Sequence, residues 1–113
     1  MSASVRGLVS LPADAPERRA ARVLVEVRDV SAADAPSVVV GTQVQTDVPL
    51  RPGGRFPFHV EVPDLDPRAS YGLRVHIDLE GSGLVESGDL INTQVSPVPV
   101  ERPDRLVAPV RAV

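Results

Sequence analysis

The stretch "YGLRVHIDLE", Tyr71–Glu80, decides the fold class. Tyr71, Leu73, Val75, Ile77 and Leu79 alternate with Arg74, His76, Asp78 and Glu80. A period of two puts the first set on one face of a strand and the second on the other. That predicts a strand packed on one side and wet on the other, as in an antiparallel sheet. The same alternation recurs along the chain. Ser4–Ser10 is a first strand. In Ala21–Asp29, Val23, Val25 and Val27 oppose Arg22, Glu26 and Arg28. In Val38–Gln45, Val38, Val40 and Val44 are assigned to one face. In Phe56–Val62, Phe56, Phe58, Val60 and Val62 point inward while His59 and Glu61 point outward. Asp89–Val95 and Leu106–Val113 complete the set.

The connections are dense in turn formers: "LPADAPERR", "SAADAPS", "VPLRPGGR", "PDLDPRAS", "EGSG" and "SPVPVERPD". Pro57 and Pro109 fall inside strands, where each removes a ladder donor. Both therefore belong at an edge, a bulge or a strand start, and Pro57 is read as a strand start. The reading is all-β: one domain, residues 1–113, folded as a seven-to-eight-stranded antiparallel β-sandwich of immunoglobulin-like or transthyretin-like build.

Composition agrees. Of 113 residues, 42% are hydrophobic but only 3% aromatic, so valine and leucine carry the burial. β-branched valine suits a pleated face. Twelve prolines and eight glycines break the chain too often for long helices. There is no cysteine, which excludes disulfides and thiolate metal sites and leans toward a reducing compartment. Every basic residue is arginine, which, with abundant Ala, Pro and Val, reads as the codon supply of a GC-rich bacterium. The net charge is −3 and the arginines are scattered. A basic stripe with interleaved aromatics is missing, so nucleic acid is not an expected partner. The first residues, "MSASVRGLVSLPADAP", lack the apolar core of a signal peptide. No run approaches the ~20 apolar residues of a membrane span. A cytoplasmic location without membrane insertion is expected.

Chemical motifs are sparse. His59 and His76, with Glu61 and Asp78 two positions on, share the outward faces of two strands. In the right register they would form a surface cluster able to hold zinc. Two histidines satisfy no metal-spacing rule, so a solvated face is expected and no metal site is assigned. Asp64 and Asp66 offer too few oxygens for calcium and read as turn residues. G-x-S-x-G is absent, and a phosphate cradle would need more glycine, a following helix and usually a lysine. No catalytic residue and no cofactor are assigned. One loop, "DVSAADAPS" (Asp29–Ser37), places two carboxylates near a serine. Its residues read first as a connector, with Asp29, Ser31 and Asp34 as a candidate partner-contact loop.

These pieces together resemble a family. A strand ending "VRDVS", an "AADAP" loop and a strand ending "TQV" (Val27–Val44) are similar to the YbaY-like proteins and the YscW-type secretion lipoprotein chaperones, or pilotins. Phe56, Phe58, Tyr71, Leu73, Val75 and Ile77 stand at the family's aromatic and "Y-x-L-x-V-x-I" positions. The segment from Leu84 through Ile91, Asn92 and Thr93 to Val98 matches its ending. The resemblance implies an immunoglobulin-like sandwich without catalytic residues. Some members are outer-membrane-anchored chaperones that bind and target secretion proteins. This chain departs from them in having no lipobox cysteine. The expected function is a non-enzymatic module that binds another protein. The alternatives are a small-ligand or carbohydrate-binding module and a histidine-containing metal-binding domain.

Overall fold

The computed structural model describes residues 2–32, 34–92 and 96–113. Its strands are β1 (Ser2–Ser10), β2 (Arg19–Asp29), β3 (Val38–Pro49), β4 (Arg55–Pro63), β5 (Tyr71–Asp78), β6 (Leu90–Ile91), β7 (Ser96–Val98), β8 (Leu106–Pro109) and β9 (Arg111–Ala112). Two sheets face each other. One has the order β4-β1-β8, and the other β3-β2-β5-β6-β9 with β7 also on β5. The molecule is a β-sandwich.

Alternation builds the interior. Val5 and Val9 of β1 and Phe56, Phe58, Val60 and Val62 of β4 are buried on one side. Val23, Val25 and Val27 of β2 and Leu73, Val75 and Ile77 of β5 meet them from the other and are wholly buried. The β2 and β5 valines are directly opposite one another, Val23 to Ile77, Val25 to Val75 and Val27 to Leu73. Close cross-strand packing of this kind is what β-branched side chains supply best.

Four expectations are corrected. Among the described residues the sandwich has nine strands, and one pairing, β1 with β8, is parallel. The extra strands come from short pieces. β7 forms inside the proline-rich connector, and the expected C-terminal strand breaks at Val110, where the chain passes from one sheet to the other. The Val110 amide donates to the Ser10 carbonyl at 3.1 Å, and β9 then pairs with β6. Pro57 is the third residue of β4 rather than its start, but both β4 and β8 are edge strands, as its ring and that of Pro109 require. Finally, Val38, Val40 and Val44 do not share a face. An irregularity between Val27 and Arg28 shifts the register of β3. Val44 stands opposite Leu24 on the outer face and is 47% exposed, while Val40 packs against the core. Residues 93–95 of the expected sixth strand lie outside the described residues.

Two glycines are demanded by close approach. A Cβ on Gly7 would collide with the Leu106 backbone, and one on Gly41 would lie 2.6 Å from the Glu61 carbonyl oxygen. Gly7 is where β8 lies against β1. We expect Gly7→Ala to displace β8 and to lower unfolding free energy in urea by about 1–3 kcal/mol. An unchanged denaturation midpoint would show that the contact can relax freely.

Candidate functional site

The loop between β2 and β3 is fastened to the turn that precedes β5. The Asp29 carboxylate accepts the Ser31 amide at 2.9 Å. Ser31 Oγ accepts the Ser70 amide at 2.8 Å, and the Val30 amide donates to the Ser70 carbonyl at 2.8 Å. Bonds from the Ser31 hydroxyl, and then from its amide, hold the Asp29 carboxyl below the usual range. Asp29 and Ser31 thus work within the connector. Asp34 lies on an exposed turn where the Ala35 amide reaches the Ala32 carbonyl at 3.4 Å. Asp66 closes a turn of its own, its carboxylate accepting the Arg68 amide at 2.9 Å, while the buried Tyr71 hydroxyl accepts the Asp66 amide at 2.9 Å.

The two histidines lie on different sheets and form no common cluster. His59, on β4, is exposed, with Nε2 2.7 Å from Glu61 Oε1 and 3.0 Å from Ser4 Oγ. His76, on β5, points outward as the alternation requires, but it is not wet. Residues 79–89 fold back across this face and bury His76, Asp78 and Asp89. His76 Nε2 stands 2.8 Å from Asp89 Oδ2. Asp89 also accepts the amides of Leu79 at 3.1 Å and Glu86 at 3.1 Å. Asp78 accepts those of Gly81, Ser82 and Gly83 at 2.9, 3.2 and 2.8 Å. Gly81 and Gly83 take φ of 75° and 84°, which lets the amides converge on one carboxylate.

The donor atoms of His76, Asp78 and Asp89 lie within 4.8 Å of one another, close enough to surround a metal ion. Every carboxylate oxygen is, however, already engaged by backbone amides or the imidazole. The group works as a polar clamp that holds the 79–89 loop to the sheet. Burial alone would raise the Asp89 pKa. Burial is the largest single influence, but the His76 hydrogen bond, the Glu86 and Leu79 amides and the attraction to His76 together outweigh it, and the carboxyl sits below its usual value. A depressed folded-state pKa gives stability that is present above the unfolded value of 3.8 and is lost as pH falls through the folded value. Thermal melts should therefore drop on acidification below about pH 4. Asp89→Ala should cost about 3 kcal/mol or more at neutral pH and flatten that acid limb. An acid limb unchanged in the variant would assign it to other carboxylates.

A second feature is open to solvent. A groove of about 770 Å³ crosses the outer face of the β4-β1-β8 sheet and ends at β3. Leu8, Pro57, Leu106 and Val107 make its apolar walls, with Arg6 and Arg105 at its margins. At its β3 end, Gln43 and Gln45 stand opposite Val25 and Val23 and so point toward the interior. There they bond the edge of β4. Gln45 Nε2 donates to the Pro57 carbonyl at 3.0 Å, and the His59 amide donates to Gln43 Oε1 at 2.9 Å. The sequence signal was present: two glutamines occupy positions where the alternation of β2 calls for apolar partners. The carbohydrate reading loses its platform, since Phe56, Phe58 and Tyr71, the chain's only aromatics, are all buried.

The chain matches 100% of its length to 98% of a solved structure described as an alternative pilotin from the type II secretion system of Vibrio cholerae, with a TM-score of 0.72 and 21% identity. At that identity the likeness establishes the shared fold. No curated protein sequence matches the chain. Residues 1–104 match the family described as type III secretion system lipoprotein chaperone (YscW). The match spans every strand but the last two, and the chain belongs to the YscW family.

Proposed function

We propose that this protein is a non-enzymatic, chaperone-like module that binds a protein of a secretion apparatus through the groove on its β4-β1-β8 sheet. Family membership supports the class of partner. The observation that carries the surface is the groove: Val107 is 52% exposed and stands beside Leu8 and Pro57 in a concave, mostly apolar site. Concave apolar surface rimmed by charge is the usual form of a recognition site. The chemical groups that could support catalysis are accounted for otherwise: His76 is locked in the clamp, and His59 bonds Ser4 and Glu61 on an open face. The Asp29, Ser31 and Asp34 loop is a second, smaller contact candidate, resting on the exposed Asp34 tip.

A photo-crosslinking residue at Val107, in the cells that make the protein, is expected to capture one reproducible protein. The same residue at Val44, 47% exposed on the opposite sheet, serves as the control and should not capture it. Leu8→Arg with Val107→Glu should lower co-purification of that protein about tenfold or more without shifting the melting temperature. Equal capture at both positions, or full retention by the double variant, would sink the groove assignment. Asp34→Ala separates the loop: lost binding with an intact fold would move the contact there.

A further inference from the structure

We propose that the tip of the 79–89 loop of one copy, Leu84, Val85 and Glu86, seats in the groove of a second copy, so that the free chain associates head to tail. The proposal rests on the groove being the docking surface and names what covers it before the partner arrives. The groove is built across three strands. Leu8 stands opposite Pro57 of β4 and Val107 of β8, so the apolar residues form one row over β4, β1 and β8. Arg6 is two residues from Leu8, and Arg105 two residues from Val107, about 7 Å along the strand direction. Neither guanidinium has a hydrogen bond or ion pair among the described residues. Asp104 is the carboxylate that lines the groove with them, and His59 there is paired with Glu61. Two guanidinium groups against one carboxylate leave the groove positive.

The tip carries the complementary chemistry at the same spacing. Leu84 is 70% exposed and Val85 43%. Glu86, two residues beyond Leu84, is exposed, and its carboxylate has no ion pair among the described residues. A Cβ added at Gly83 or Gly88 would meet nothing within 4 Å, so the tip projects from the sheet. Its base is fixed, because Asp78 and Asp89 take five backbone amides there. A loop ordered in advance loses little freedom on binding. The loop lies over the outer face of the sheet that contains β5, whereas the groove is on the outer face of the other sheet. A tip therefore cannot reach the groove of its own copy. The contact is heterologous, and each chain of copies keeps one free tip and one free groove. So small a tip buries far less than the ~1,200 Å² of a stable complex, which makes the association weak and lets a partner with a larger contact displace it.

The test is sedimentation velocity on the full chain, from about 10 µM to about 1 mM. The sedimentation coefficient should rise with concentration and fall back at high salt, which screens the exposed charges. Leu84→Ser/Val85→Ser removes the apolar tip and Arg6→Glu/Arg105→Glu reverses the groove. Each should stay monomeric, with a melting curve that confirms its fold. Mixed together they should form a one-to-one complex and nothing larger, because the first supplies only a groove and the second only a tip. Glu86→Arg alone should abolish association, and Glu86→Arg added to Arg6→Glu/Arg105→Glu should restore it, since the charges are then exchanged. A wild-type chain that is monomeric throughout overturns the proposal. Association that survives in either double variant places the contact on another face and overturns it too, as does a mixture that stays monomeric. If Val107 still cross-links a partner while the wild-type chain is monomeric, protein binding at the groove stands and this inference alone falls. Association with the expected variant pattern but no capture at Val107 sustains the tip contact and removes the foreign partner.

Discussion

The structure depends on the contact between the valine face of β2 and the aliphatic face of β5. Val23, Val25 and Val27 meet Ile77, Val75 and Leu73 pair by pair, and all six are wholly buried. With so few aromatic residues, no single large side chain anchors the interior. Burial is spread over many valines, each contributing about 1.5–3 kcal/mol when fully removed from water. β2 also pairs with β3 along its other edge, so it sits inside its sheet and fixes the strands on both sides. The opposite sheet, three-stranded among the described residues, covers this face with Val5, Val9 and the Phe56–Val62 alternation of β4.

A sandwich of two open sheets must deal with its edges. An unpaired strand edge presents donors and acceptors that water or another chain will take. Here β8 carries Pro109 and β4 carries Pro57, each deleting an edge donor. Two of the remaining β4 groups, the Pro57 carbonyl and the His59 amide, are met by glutamines from the facing sheet. Side-chain amides thus close the seam where a backbone ladder would otherwise be needed. The groove on the outer face of the β4-β1-β8 sheet ends beside that seam.

The His76, Asp78 and Asp89 group shows the opposite strategy. Two buried carboxylates would be costly alone. Five backbone amides and one imidazole satisfy them, and the glycines of the loop make that convergence geometrically accessible. The Leu84 and Val85 tip of the loop stays exposed while its base is held against the sheet.

Sequence alone was enough for the strands with strong alternation, the all-β class, the family and the edge position of Pro109. Those are local properties: side-chain period, turn chemistry and the missing proline amide act within a few residues. The face of His76 was legible too, but its burial was not. Parity gives a direction, whereas burial depends on whether a distant segment, here residues 79–89, folds across that face. The same limit separated Val44 from Val40, since a single register shift between Val27 and Arg28 changes which face the β3 residues take. β7 is too short for periodicity to reveal, the break at Val110 that divides Leu106–Val113 into β8 and β9 depends on which sheet each half joins, and the parallel pairing of β8 with β1 joins opposite ends of the chain. The groove and its glutamine seam could be decided only by the tertiary structure, because they arise where strands from two sheets meet and no local rule says which edges will face each other.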